Sequence, residues 1–257
     1  MSSQKISLVI PSRMDSTRLP GKPLRIIAGK PLLYWVIKAA IKVKNINKVI
    51  LATDNLEIMK VASLLNIESM MTSSSHKSGT ERLLEVSKKV DSDFYINLQC
   101  DEPLIDPRDI EYLIENLIET NLDIVTLAHK IGLDEAKDSS TVKVVCNYKN
   151  EAIYFSRNII PYGAKNFLQH IGIYGFTQKS LKLIESYSET RLEKLESLEQ
   201  LRWLENNLKI GVIYTNNKVI GVDTIDDLKK VERILLLKKI KIIFSDVDGI
   251  LTDGKIW

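Results

Sequence analysis

Between Ile6 and Leu24 the chain reads ISLVIPSRMDSTRLPGKPL, a short apolar strand that breaks at Pro11 into a polar loop. The loop sets Arg13, Arg18 and Lys22 among Ser12, Ser16, Thr17 and Gly21. A buried strand that empties into cations, hydroxyls and a glycine is how α/β proteins hold phosphates, because backbone N–H groups and fixed charges converge on one anion. Neither GxxxxGK[ST] nor GxGxxG is present. The loop is therefore a phosphate cradle of another kind, or an ordinary basic surface loop.

The same strand–helix alternation continues downstream. Pro31 opens a helix to about Val43, in a first turn where its missing N–H costs nothing. Val49–Thr53 is a second buried strand ending at Asp54, and Leu56–Leu65 repeats apolar residues at helical spacing: Leu56, Met59, Val61, Leu64 and Leu65. This predicts an α/β fold with a mainly parallel, doubly wound sheet and ligands at the C-terminal ends of its strands. A length of 257 residues suits one such domain, or one with a small lobe. A net charge of +3 is too small to argue for nucleic acid or an anionic membrane, and no apolar run reaches spanning length. The N-terminus lacks a signal-peptide layout, and Cys100 and Cys146 have no metal-type spacing, so a reducing cytoplasm is expected.

Several later stretches carry chemistry. SSSHKSGTER over Ser73–Arg82 precedes an amphipathic helix to about Val90. Ser78 or Thr80 caps that helix or holds a base or ribose, and Glu81 is read as one residue short of a capping box. The strand Phe94–Leu98 ends in Gln99-Cys100-Asp101-Glu102-Pro103, which puts two carboxylates where an α/β sheet exposes its site. Aspartate is a hard oxygen ligand suited to Mg²⁺, and the following helix already has Asp106 and Pro107 as its start. Further strands are expected at Asp123–Ala128, Val142–Asn147, Ala152–Phe155, His170–Phe176 and Ile210–Tyr214. Glu193–Asn206 reads as one helix with a stripe of Leu195, Leu198, Leu201 and Leu204, and with Glu199 and Gln200 beside it, either solvated or in a site. Asp223 precedes the helix Ile225–Leu237 as an N-cap or as a second metal carboxylate.

Taken together, IPSRMDSTRLPGKPL, VILATDN, HKSGTERL, NLQCDEP, VKVV, YFSRNIIP, HIGIYGF, LESLEQLRWLENN and GVDTIDDL resemble the 3-deoxy-manno-octulosonate (KDO) cytidylyltransferases. They stand in that family's order and span nearly all of residues 5–235. The resemblance implies a sugar nucleotidyltransferase (Rossmann-like) fold, a mixed, mainly parallel sheet flanked by helices, with a small lobe that helps form a homodimer. It implies the reaction of CTP with KDO to give CMP-KDO and pyrophosphate. By motif position, Arg13 and Lys22 would hold the triphosphate and Ser78 and Gln99 would lie near the cytidine. Asp101 and Asp223 would bind Mg²⁺, and Arg157, His170, Tyr174, Glu199 and Gln200 would line the sugar pocket. In-line attack of the anomeric hydroxyl on the α-phosphorus needs positioned cations and no covalent enzyme intermediate. Close alternatives keep this chemistry with 8-amino-KDO or an acylneuraminate-type acid; a degenerate nucleotide-binding protein is the alternative of another class.

Two departures from the family pattern stand out: Cys100 occupies a position where the family usually has glycine, and the segment between Pro161 and His170 is short. If that backbone needed positive φ or close ligand approach, the cysteine would cost on the order of 1 kcal/mol. The tail over residues 241–257, KIIFSDVDGILTDGKIW, resembles the first motif of haloacid-dehalogenase phosphatases, with Asp246 as nucleophile and Asp248 as acid. Residues 1–239 are thus read as the cytidylyltransferase domain and 240–257 as the opening of a second. That stretch is too short for a core of its own, so no phosphatase activity is expected from it.

Overall fold

A computed structural model of the chain describes residues 4–16, 19–120 and 122–238. Arg18 and the tail with Asp246 and Asp248 lie outside the described residues. The strands of the nine-stranded sheet are β1 Ile6–Ser12, β2 Lys48–Thr53, β3 Glu68–Met71, β4 Phe94–Leu98, β5 Ile124–Ile131, β6 Lys143–Cys146, β7 Ala152–Ser156, β8 Phe167–Thr177 and β9 Ile210–Thr215. The helices are α1 Leu32–Ala40, α2 Leu56–Ser63, α3 Gly79–Ser87, α4 Pro107–Glu119, α5 Leu133–Ala136, α6 Gln178–Glu185, α7 Arg191–Glu196, α8 Gln200–Glu205 and α9 Ile225–Leu237.

All seven residues of β1 are buried because β1 runs between β2 and β4, parallel to both. The main sheet has the order β9-β5-β8-β4-β1-β2-β3, in which β8 alone runs against the other six. This is the mixed, mainly parallel sheet expected. The chain builds outward from β1 to β3 and then returns to β4 on the other side of β1. The crevice between the ends of β1 and β4 is thus the switch point where such sheets bind ligands.

Successive residues of β1 face opposite layers, as a period of two requires. Leu8 and Ile10 pack with α1, α2, α4 and α9, whereas Val9 packs with α3, α6 and α8. β6 and β7 form a hairpin off the main path, with β6 held against β8.

Four local readings need correction. β1 does not break at Pro11 but continues to Ser12, pairing with β2 through Pro11↔Ala52 and Ser12↔Thr53. Pairing with β4 has already stopped at Val9, so a residue with no N–H is tolerated there. In α2 the buried stripe is Ile58, Val61 and Ala62, while Leu56 and Leu64 are exposed. The spacing from Ser78 to Glu81 is the full three residues of a capping box. The Glu81 N–H donates to Ser78 Oγ at 3.2 Å, but the Glu81 carboxylate accepts the Lys77 N–H at 2.6 Å instead of that of Ser78.

The fourth concerns residues 193–206, which form two short helices instead of one. α7 ends where Ser197 takes a left-handed conformation at φ 53°, and α8 starts after Glu199. Arg202 clasps Glu193 across the break, with Nε donating at 2.7 Å and a terminal nitrogen at 2.5 Å. Leu198 and Leu201 are buried, whereas Leu195 is left exposed on the far side of the break.

Candidate active site

Two clefts open at the C-terminal ends of β1 and β4. The smaller, of about 270 Å³, lies between the loop after β1 and the start of α3 and contains Arg13, Lys22, Ser78, Gln99, Asp101 and Asp223. The larger, of about 710 Å³, contains Gln99, Asp101, Arg157, His170, Tyr174, Glu199, Gln200 and Asp223. All eleven sequence-predicted site residues therefore line one cleft or the other, and Gln99, Asp101 and Asp223 line both.

At that junction Lys22 Nζ donates to Asp101 Oδ2 at 2.7 Å and to Asp223 Oδ1 at 3.0 Å. Asp223 reaches it from a separate segment, which is latched to the β4 loop by Val222 N–H donating to the Asp101 carbonyl at 2.9 Å. Burial disfavours the Lys22 ammonium, but Asp101 and Asp223 outweigh that and raise its pKa. The ammonium is thus held charged at pH 7, and two carboxylates of separate origin converge on one cation. The second Asp101 oxygen, Oδ1, is buried without a partner among the described residues.

The smaller cleft is built for an anion. Gly79 begins α3 so close to β1 that a Cβ there would stand 3.0 Å from Pro11 Cγ. Glycine lets the first turn of α3, with its partial positive charge, close over the end of β1. Arg13 is exposed at the mouth and donates to the Lys77 carbonyl at 3.4 Å.

The larger cleft is walled by β8 and α8. Gln200 is buried, and Glu199 Oε1 accepts from Thr80 Oγ1 at 2.8 Å, which ties the start of α8 to the start of α3. Burial raises the Glu199 carboxyl. His170 Nε2 lies 2.9 Å from Thr126 Oγ1, and its ring packs against Phe155 and Tyr174. Burial pushes its pKa down to about 3, so it is neutral at pH 7. Burial likewise raises the Tyr174 hydroxyl well above its ordinary value. The Arg157 guanidinium donates to the carbonyls of Glu196 at 2.9 Å, Ser139 at 3.2 Å and Ser197 at 3.4 Å. Those bonds use three of its five donors.

Cys100 lies in the smaller cleft with a negative φ, so no left-handed strain arises from the missing glycine. Burial pushes its thiol up to about 11 and keeps it protonated.

Sequence reasoning singled out Glu102 only as half of a carboxylate pair. In the fold it is buried, and Oε1 accepts the Gly172 N–H at 2.9 Å. The Gln99 N–H in turn donates to the Gly172 carbonyl at 3.0 Å, so the β4 loop and β8 grip each other. A Cβ on Gly172 would stand 2.8 Å from Gln99 Oε1 and 2.9 Å from Glu102 Oε1, which explains the glycine. Lys218 and Lys230, also in the larger cleft, have no local sequence signal.

A cationic anion cleft sharing two carboxylates with a second, polar cleft defines a nucleotidyltransferase site. A family model described as cytidylyltransferase matches residues 7–210. The chain is 43% identical over 241 residues to the 3-deoxy-manno-octulosonate cytidylyltransferase of Fusobacterium nucleatum, covering 91% of this chain and 98% of the relative. It is 41% identical over 236 residues to the enzyme of that name from Escherichia coli, covering 90% and 96%. A solved structure of CMP:2-keto-3-deoxy-manno-octonic acid synthetase complexed with CTP superposes with a TM-score of 0.86 at 40% identity, covering 91% of this chain and 99% of that one. The inositol-1-phosphate CTP transferase of T. maritima shares the fold at 18% identity and a TM-score of 0.68. The chain belongs to the 3-deoxy-manno-octulosonate cytidylyltransferase family.

Proposed function

We propose that the chain transfers CMP from CTP to the anomeric hydroxyl of KDO, releasing pyrophosphate. The observation that carries this reading is the meeting of the two clefts at Asp101 and Asp223, beside the Lys22 ammonium. CTP occupies the smaller cleft, with Arg13 and Lys22 on the triphosphate and Ser78 and Gln99 near the cytidine. The sugar acid occupies the larger, among Arg157, His170, Tyr174, Glu199 and Gln200. The two unused Arg157 donors suit a carboxylate.

Asp101 and Asp223 are the residues that would hold Mg²⁺. The fit rests on this chain's own geometry: two hard oxygen donors already share one cation, and Asp101 Oδ1 is unpartnered. Among the described residues no group of three or more His, Cys, Asp or Glu forms a ready cage. That suits an ion which takes one or two carboxylates plus substrate phosphates. When bound, such an ion supplies charge to the phosphoryl oxygens and acidifies a coordinated hydroxyl.

The protein's own part is orientation and charge. The α8 and β8 wall aims the sugar hydroxyl at the α-phosphorus, the new P–O bond forms, the bond to pyrophosphate breaks and the hydroxyl proton passes to water. Lys22 and Arg13 meet the charge that accumulates on the phosphoryl oxygens and the leaving group. Neutral His170 and un-ionised Tyr174 shape the sugar side without adding charge.

A homodimer completes the reading, with the β6–β7 hairpin as the contact face. Exposed Tyr148, Ile153 and Tyr162 leave apolar surface on that lobe. The cytoplasm, where cysteines stay reduced, is the compartment the reading needs. The segment around Asp246 and Asp248 is proposed to open a phosphatase-type domain.

The test is pyrophosphate release from CTP in the presence of Mg²⁺, offered KDO, 8-amino-KDO and N-acetylneuraminate in turn. Release with KDO at the highest kcat/KM is expected. Release only with another acid would change the substrate, and CTP binding without turnover of any of them would point to a binding protein.

A further inference from the structure

Lys143, on β6, is fully buried, and among the described residues its ammonium has no carboxylate partner within ion-pair distance. All three of its N–H donors end on backbone carbonyls instead: Thr141 at 2.6 Å, Arg157 at 2.6 Å and Asp138 at 3.2 Å. Burial lowers its pKa. Taking a cation out of water is costly unless its donors are satisfied. Three carbonyls from two separate segments satisfy these.

Both segments belong to the wall of the larger cleft, which Asp138, Thr141 and Arg157 line. The Arg157 peptide is gripped from both sides, because its N–H donates to Glu196 Oε2 at 2.9 Å while its carbonyl accepts from Lys143. Glu196 is itself fixed by Ser156 Oγ, which donates to Oε1 at 2.6 Å. Lys143 also sits in register with Ser156 on one side and Gln169 on the other. The adjacent His170 N–H donates to the Val142 carbonyl at 2.9 Å. One buried ammonium thus joins the turn before β6 to the end of β7, while the backbone of the same stretch pairs with the start of β8.

We propose that Lys143 is a positioning residue for the sugar-acid half of the reaction: it sets the backbone from which Arg157 projects and the 138–141 turn opposite. It touches neither cleft's ligand directly. This inference rests on the assignment of the larger cleft to the sugar acid. A methionine would fill the same space but take the shared donor from all three carbonyls, so the turn and the Arg157 peptide would separate.

The test compares Lys143→Met and Lys143→Arg with the unaltered protein in steady-state kinetics and in amide hydrogen exchange. Lys143→Met is expected to raise KM for KDO by about ten-fold or more and to leave KM for CTP within about two-fold. Lys143→Arg, which keeps the charge, is expected to recover part of that loss. Exchange should quicken over residues 138–141 and 156–158 and stay unchanged over β1 and α3. Equal changes in both KM values, or an unchanged KM for KDO, would overturn the proposal. If the unaltered protein turns over no KDO, the functional reading fails by itself. The exchange pattern then decides for Lys143, and unchanged protection over 138–141 and 156–158 overturns it. Failure of both variants to fold would make Lys143 a folding residue and overturn it as well.

Discussion

Lys22 is the residue on which the charge of the site balances. Its ammonium holds Asp101 and Asp223 together at the shared edge of the clefts, and it lines the smaller cleft proposed for the triphosphate. Replacing Asp101 or Asp223 by Asn leaves the side-chain volume and removes a hard anionic donor. Each change should lower kcat/KM by about 100-fold or more, read as pyrophosphate release. Full activity in either variant would remove both from the metal assignment. Cys100 makes a smaller prediction. Its φ is negative and its thiol neutral, so Cys100→Gly should alter kcat/KM by less than about three-fold and lower stability by about 0.5–1 kcal/mol through added backbone freedom, read by urea titration. Asp101 and Lys22 were legible because the acid follows a buried strand and the cation follows a phosphate-type loop. Glu102 and Lys143 were not, because their partners, Gly172 and Arg157, lie 70 and 14 positions away and only the fold brings them near.

Elements divide in the same way between local and non-local causes. β4 and α9 have the ends expected of them, since an apolar run broken only by Asn97 and a Thr224 cap with Asp227 are local signals. The break at Ser197 is not local: residues 193–206 have good helical periodicity, yet the chain must turn to carry Glu199 and Gln200 into the cleft. The Glu193–Arg202 clasp and the burial of Leu198 and Leu201 hold it in that turn. A serine at φ 53° costs about 1–2 kcal/mol that glycine would not incur. Ser197→Gly should therefore raise stability by about 0.5–1 kcal/mol net of glycine's backbone entropy, read as a shift in the urea midpoint, and leave the fold intact. A drop in stability would mean that the serine side chain, and not the turn, matters there.

At the scale of the molecule, the sheet brings the end of β1, the end of β4 and the segment before α9 to one edge, and β8 and α8 close it. Burying His170 neutral has a cost in acid. Its folded pKa of about 3 lies below its ordinary 6.5, so the unfolded chain binds a proton that the folded one refuses. Its stabilising contribution is complete above pH 6.5 and is lost as pH falls through 6.5 towards 3. His129, also lowered by burial, acts in the same direction. Glu102, raised to about 8 by burial and by Asp101, acts in the opposite one between 4.5 and 8. The difference between the unaltered protein and His170→Asn isolates the histidine. The advantage of the variant should grow between pH 7.5 and 5 in urea titrations, and parallel curves would show that His170 is not held neutral.

The division of labour between the clefts is the central claim, and separate KM values for the two substrates test it most directly. Ser78→Ala and Arg13→Ala should raise KM for CTP by about ten-fold while KM for KDO holds within about two-fold, and Gln200→Ala should do the reverse. A rise in KM for KDO from Ser78→Ala or Arg13→Ala, or in KM for CTP from Gln200→Ala, would contradict the assignment of CTP to the smaller cleft and the sugar acid to the larger.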